Sequence, residues 1–264
     1  MNFLKRELAP IIDEAWSEIE EEAVRVLKAN LSARHVVDLD GPKGFDYSSV
    51  NLGEIEPAKE PIDGVSYGIR RVLPLVEARV PFVLDIWNLD NLARGAAAVD
   101  TEPVIRAALE LAAFEERAIY YGFEPGAIKG LTECAMHKAI ALGGEPGDYV
   151  DAVAKAMLVL SDSGVGGPYA LVLGSKAFRK LSGDVSVYPL RQRVAKLLEG
   201  PILHSPVLEG GFLLSLRGGD FQLSVGQDIA IGYDHHDNRS AHLYLTESFT
   251  FRVLGPEAVI ELRS

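Results

Sequence analysis

The sequence predicts an α+β fold, on three observations. Apolar residues recur at helical spacing over 12–27 and 100–121, and they alternate at strand spacing over 217–233 and 243–258. Between these lies 148–216, where short helix and strand patterns follow one another, as in a compact α/β subdomain inserted before the final strands.

Pro10 stands near the start of the first helix, whose stripe is Ile12, Trp16, Ile19, Ala23, Val26 and Leu27, with Glu18, Glu20, Glu21 and Glu22 mostly on the other side. The Trp16 stripe reads as packing. A short strand is expected over 34–39 and a turn over 41–44. Two extended runs, 48–56 and 65–69, flank the loop PAKEPIDG at 57–64. A lone hairpin is only marginally stable in water, so this one is expected to lean on another surface, such as a neighbouring subunit.

The longest helix is predicted over 100–121, with Asp100 or Thr101 as cap, Pro103 in its first turn and Gly122 as its stop. Arg106, Glu110 and Arg117 mark a narrow polar stripe. Val104, Ile105, Leu109, Leu111, Phe114, Ala118 and Ile119 spread over most of the circumference, so the helix is packed on more than one side. Helices follow at 148–160, 175–181 and 189–198, and strands at 170–173, 201–203 and 212–216. Phe221, Leu223 and Val225 share one face of a later strand. Leu243, Leu245, Phe249, Phe251 and Val253 share a face of another, and both are read as half-buried.

Composition narrows the function. With 26 Lys and Arg against 38 Asp and Glu, the net charge of -12 repels phosphate backbones and disfavours nucleic acid as a partner. The single cysteine, Cys134, excludes an internal disulfide and fits a reducing cytoplasm. The start MNFLKRELAPI runs into an acidic helix rather than an apolar signal core, and no apolar run reaches membrane-spanning length, so neither export nor a membrane partner is expected.

The chemistry-bearing motifs are weak. GVGG at 164–167 follows a helix and precedes a strand, the reverse of a phosphate loop, and reads as a turn. Gly218 and Gly219 read as a hairpin turn. Asp234, His235, His236 and Asp237, with His242 nearby, hold metal-capable groups, but adjacent strand histidines face opposite ways, and a solvated turn is preferred. Cys134 and His137 supply only half of a structural zinc site. Neither Ser163 nor Ser175 sits in a nucleophile elbow. Glu247 stands out because its parity places it among Leu245, Phe249 and Phe251. A buried acid with a raised pKa, a bulge or a salt bridge to an arginine each accounts for it. Trp87, with Arg79 upstream, reads as an interface anchor more than a ligand platform.

Several ordered segments resemble encapsulin shell proteins (type 1, linocin-like). These are NFLKRELAPI with Trp16 downstream, PFVLDIWNLDNLARG at 81–95, RGGDFQLSVGQDIAIGY at 217–233 and LTESFTF at 245–251. The resemblance covers essentially the whole chain. It implies an HK97-type phage capsid fold in one protomer: N-terminal helix and P-domain start at 1–44, an extended E-loop at 45–70, the P-domain with its spine helix at 71–129, an A-domain at 130–216 and P-domain C-terminal strands at 217–264. The implied function is that of a shell subunit and not an enzyme. Such subunits self-assemble into an icosahedral nanocompartment in the cytoplasm and enclose a cargo enzyme that bears a C-terminal targeting peptide. The usual cargoes, ferritin-like iron-storage proteins and dye-decolorising peroxidases, imply iron sequestration or defence against oxidative stress.

By position, the resemblance carries a cargo-peptide groove onto Leu27, Arg34, Asp38, Ile229 and Ile231, with Leu27 where relatives can hold an aromatic. The stretch 181–188 becomes the candidate pore lining, with Gly183, Asp184 and Val185 facing transiting ions. No cofactor is required. A flavin beside Arg79 and Trp87 is an optional ligand, since some relatives carry one next to the matching tryptophan. The competing readings are a phage-type major capsid protein and a soluble hydrolase using Cys134 or a carboxylate. On the shell reading, replacing Leu27 and Ile231 by Asp is expected to empty the particle without dissolving it.

Overall fold

In the computed structural model, which describes residues 3–183 and 189–263, the first long element is α1, Asp13–Asn30. It buries Trp16, Ile19, Ala23, Val26 and Leu27 at the predicted spacing, and Arg6 stacks over Trp16 at 4.3 Å. The chain then turns through a 3-10 segment, Ala33–His35, before strand β1, Asp38–Asp40. The strand expected over 34–39 is therefore shorter and later. Its first residues are pulled into a turn because the Ala33 amide donates to the buried Glu116 carboxylate at 2.7 Å.

Strands β2, Ser49–Pro57, and β3, Gly68–Pro74, form a two-stranded antiparallel ribbon, with a further bridge between Ile62 and Val65 toward its tip. The ribbon reaches four residues beyond the expected boundary at 70. Strand β4, Val76–Asp85, leads through the short α2, Ile86–Leu89, to α3, Glu102–Tyr121. Next come α4, Leu131–Cys134, β5, Ile140–Ala141, α5, Pro146–Asp162, β6, Tyr169–Leu173, and α6, Ser175–Ser182. Then follow α7, Leu190–Leu198, β7, Ile202–His204, β8, Gly211–Ser215, β9, Phe221–Val225, β10, Ala230–His236, β11, Ser240–Val253, and β12, Val259–Arg263.

Two sheets organise these elements. In the first, β11 pairs with β4 along one edge, from Ser240 opposite Asp85 to Phe249 opposite Val76. Along its other edge β11 pairs with β10 and then β9, and β1 lies parallel outside β9. The second sheet has the order β5-β12-β8-β6-β7. Because β12 pairs with β8, residues 259–263 belong to this second sheet and not with the other strands of 217–264. Gly218 and Gly219, both at positive φ, join β8 to β9 across the two sheets, so they form a crossover and not a hairpin turn.

The apolar residues gather in two cores. One collects α1, the N-terminal half of α3 (Val104, Ala107, Ala108, Leu111, Ala112), Phe82 and Leu84 of β4, Ile231 and Tyr233 of β10, and Leu243 and Leu245 of β11. The other collects the second sheet and its helices, with Ala118, Ile119 and Tyr120 of α3 and Phe249 and Phe251 of β11. Helix α3 and strand β11 thus run through both cores. Strand β11 is buried on both faces, not half-buried. Its second face carries Tyr244, Thr246, Ser248 and Thr250, and two of these are satisfied locally: Thr246 Oγ1 donates to the Ala78 carbonyl and Ser248 Oγ accepts from the Gln227 amide. Short polar residues that bond within their own sheet read as solvent-facing while being covered.

Candidate functional site

A polar seam fills the boundary between the cores. On α3 it falls at Glu115 and Glu116, between Ala112 and Ala118, and on β11 at Glu247, between Leu245 and Phe249. All three side chains are fully buried. Arg34, just after α1, supplies the cation. Its Nε donates to both Glu115 oxygens at 2.9 Å, its Nη1 to Asp228 at 2.8 Å, and its Nη2 to Glu115 and, at 3.1 Å, to Glu247 Oε2. Burial disfavours the Arg34 cation, yet hydrogen bonding and charge from Glu115, Asp228 and Glu247 hold its pKa above the ordinary value. Burial, followed by the charge of Glu115, pushes Glu247 well above the usual carboxylate range.

Glu116 is served differently. Ser32 Oγ and Ser205 Oγ both donate to its Oε2 at 2.6 Å, and the Ala33 amide donates to its Oε1. Burial raises its pKa, and these three donors pull it back. Sequence reasoning singled out Glu247 and missed the helical pair. A signal existed: Glu115 lies four residues from Leu111 and from Ile119, and Glu116 four from Ala112 and from Tyr120, all buried positions.

The five residues assigned to a cargo-peptide groove meet this seam unevenly. Leu27 is 8% exposed and Ile231 5%, and both pack in the first core with Ile229 at its edge. Arg34 is committed to the seam. Asp38 is exposed, and its carboxylate accepts the Gly219 amide at 2.7 Å. The exposed apolar residues in this part of the chain are Val24 of α1, at 46%, and Leu39 of β1, at 47%. A hollow of about 280 Å³ lies beside β1, lined by His35, Asp38, Gly218 and Asp220 among others.

Two further hollows border β4. One, of about 680 Å³, lies between β4 and α3 and is lined by Val76, Ala78, Arg79, Leu109, Phe114 and Phe123. The other, of about 520 Å³, is lined by Trp87, Asn88, Asn91, Arg94 and Asp100. Trp87 is 71% exposed, while Arg79 stacks on Tyr244 at 4.1 Å. One chain therefore does not bring the two flavin candidates together: it offers an open indole and a separate, stacked guanidinium. Of the pore candidates, Gly183 closes α6, and Asp184 and Val185 lie outside the described residues.

The histidine cluster is not a loop. His235 and His236 lie on β10 and His242 on β11, while Asp237 and Arg239 make the turn. The two strand neighbours do face opposite ways, His235 stacking on His242 and His236 bonding to the Tyr233 hydroxyl. Among the described residues no group of three or more ligands is placed to hold a metal ion. His137 bonds to the Glu257 carbonyl, and Cys134 faces the Lys129 carbonyl.

Comparison with known proteins gives a consistent picture. Residues 1–250 match the Linocin_M18 family, described as encapsulating protein for peroxidase. A type 1 encapsulin shell protein from Rhodospirillum rubrum is 47% identical, covering all of this chain and 97% of that one. Another from Brevibacterium linens is 41% identical over 99% of both chains. Among solved structures, a virus-like particle from Pyrococcus furiosus superposes with a TM-score of 0.67 at 17% identity, over 94% of this chain and 99% of the other. Mycobacterium phage Cain gives a TM-score of 0.57 at 12% identity, over 89% and 90%. The fold is that of HK97-type capsid proteins.

Proposed function

The chain belongs to the type 1 encapsulin shell-protein family, a family of structural proteins and not of enzymes, and from that premise we propose that it builds a closed icosahedral cage from copies of itself in the cytoplasm. Beyond the family match, the observation that carries the reading is the β2–β3 ribbon. Ile55, Ile62, Val65, Tyr67, Ile69 and Val72 are all exposed large apolar residues on it or its tip. A two-stranded ribbon with that surface is marginal in water until something covers it. A second copy, with an apolar hollow between β4 and α3, supplies such a cover, and heterologous contacts of this kind close into shells.

The cage encloses a partner protein held by a C-terminal targeting peptide, and the catalysis belongs to that partner. The cargo classes are dye-decolorising peroxidases or ferritin-like iron-storage proteins, with iron and small solutes entering through pores around 181–188. On the protomer, the peptide meets the surface around β1 and the second half of α1, where Leu39, Val24 and Asp38 are open. A flavin would stack on the exposed Trp87 indole, with Arg79 coming from a second copy. A phage-type capsid shares this fold, but a net charge of -12 opposes packaged DNA.

Size-exclusion chromatography with light scattering, followed by negative-stain microscopy, tests the reading. Uniform hollow particles are expected. A monomer or small oligomer under several assembly conditions would remove the cage, and a particle that retains DNA would favour the phage-type alternative.

A further inference from the structure

The polar seam between the two cores carries more negative charge than its one cation balances. Glu115, Glu247 and Asp228 all bond to Arg34, and the first two are fully buried. Glu115 takes both Nε and Nη2 of the guanidinium, and the half-exposed Asp228 takes Nη1. Glu247 is left with one 3.1 Å bond to the guanidinium, through Oε2, its carboxyl lies against that of Glu115, and its Oε1 has no donor among the described residues. A buried carboxylate with one unpartnered oxygen and a shared cation is far costlier than the neutral acid. Glu116 shows what an accommodated acid looks like here, with three donors on its two oxygens.

We propose that Glu247 is held as a protonated carboxylic acid at neutral pH and that its proton latches the two cores together along α3 and β11, so that alkali, by removing it, loosens this seam. The other groups around it do not replace the proton. Glu115 and Glu116 on α3 are acids, Tyr120 lies one turn further along α3 and bonds to Ser32, and Asp228 precedes β10. On β4, Ala78 stands opposite Glu247, and its neighbours Glu77 and Arg79 alternate to the other face and pair with each other at 3.3 Å. His35 beside Arg34 is exposed. Arg34 is the one cation in contact with the Glu247 carboxyl among the described residues. When hydroxide takes the proton as water, the seam gains a second uncompensated charge.

The sign follows from linkage. An unfolded glutamate titrates near about 4.3, and burial raises the native group above that. The stability due to the neutral acid is complete below the unfolded value and is lost as pH rises through the native one. Across that window the folding constant drops by about tenfold per pH unit for one proton.

The inference concerns the protomer and stands whether or not a cage forms. Infrared spectroscopy of the intact wild-type protein is the test, read at the carbonyl stretch of a buried carboxylic acid, together with chemical denaturation from weakly acidic to alkaline pH. The expected result is an acid carbonyl band at neutral pH that disappears in alkali and is missing from Glu247→Gln, whose stability loses the wild-type pH slope. If that variant does not fold, Glu116→Gln separates the two acids, because a Glu247 band survives it. No acid band in the wild type at neutral pH, a band lost in Glu116→Gln, or parallel pH profiles for wild type and Glu247→Gln would overturn the proposal.

Discussion

Ser205, just after β7 in the second sheet, donates its hydroxyl to Glu116 on α3 at 2.6 Å, and the same carboxylate oxygen accepts from Ser32 at the end of α1. One buried acid therefore ties both halves of the protomer to the helix that runs between them. Replacing it by Ala strands the Ser205 hydroxyl and the Ala33 amide, at a cost of about 1–3 kcal/mol for each buried group left unpaired, while Ser32 keeps its bond to the Tyr120 hydroxyl. Glu116→Ala is expected to unfold at clearly lower urea than wild type with an unchanged slope, and Glu116→Gln at an intermediate concentration. An unchanged midpoint for Ala would mean that water replaces the carboxylate and that the tie is dispensable.

Arg34 is expected to act on the fold before it acts on any cargo. Removing it leaves the buried Glu115 carboxylate without a cation and the Glu247 acid without its Arg34 donor, and breaking a buried pair in this way costs about 3–5 kcal/mol. For Arg34→Ala the deficit should deepen as pH rises, because the raised Glu247 carboxyl is tolerated only while protonated, and stability is lost as pH climbs through its native value. Arg34→Lys should recover part of the loss, since a point charge cannot reproduce the fork that serves Glu115 and Asp228 at once. Melting curves from weakly acidic to alkaline buffer decide this. A deficit independent of pH would assign the effect to packing of the arginine stem.

The elements that the sequence announced are those whose physics is local. Helix α1 and helix α3 follow their apolar stripes almost to the residue, and Glu247 betrayed itself by parity alone, with both a salt bridge to an arginine and a raised pKa present. What escaped depends on partners distant in the chain. The strand expected at 34–39 starts only at Asp38, its first residues held in a turn because Glu116, more than eighty residues on, captures the Ala33 amide. Strand β12 looked like one more strand of the final group, yet it pairs with β8 of the other sheet. Peptide-groove residues placed by likeness to a family carried no information on burial, and two of them, Leu27 and Ile231, are buried in the protomer.

That burial changes what substitutions at those two positions should do. An Asp at Leu27 or Ile231 puts a carboxylate into the core shared with Trp16, Leu84 and Leu111, where an unpaired charge is not tolerated. Both variants are expected to lower particle yield and melting temperature, not to give intact empty shells. Leu39→Asp and Val24→Asp alter exposed positions and should leave stability within about 0.5 kcal/mol of wild type. If the peptide docks around β1, these two should yield normal particles with less co-purifying cargo. Full cargo loading in both would move the groove elsewhere.

The ribbon allows folding and assembly to be separated. Ile55 and Ile69 are 61% and 68% exposed in the protomer, and among the described residues β2 and β3 pair with each other and with no other strand. Charges at these positions touch neither core, so Ile55→Asp with Ile69→Asp should leave the far-ultraviolet spectrum and the protomer's denaturation unchanged. If the two residues are buried against a second copy, the same pair places unpaired carboxylates in every contact of the cage, at a cost that repeats with each subunit. Light scattering is expected to find monomers or small oligomers at concentrations where the wild type is particulate. Ile55 stands opposite Arg70 and Ile69 opposite Glu56, so the two charges fall on opposite faces of the ribbon. Full-sized particles from the double variant would show that neither position is buried after assembly and would remove the ribbon as the contact that carries the cage.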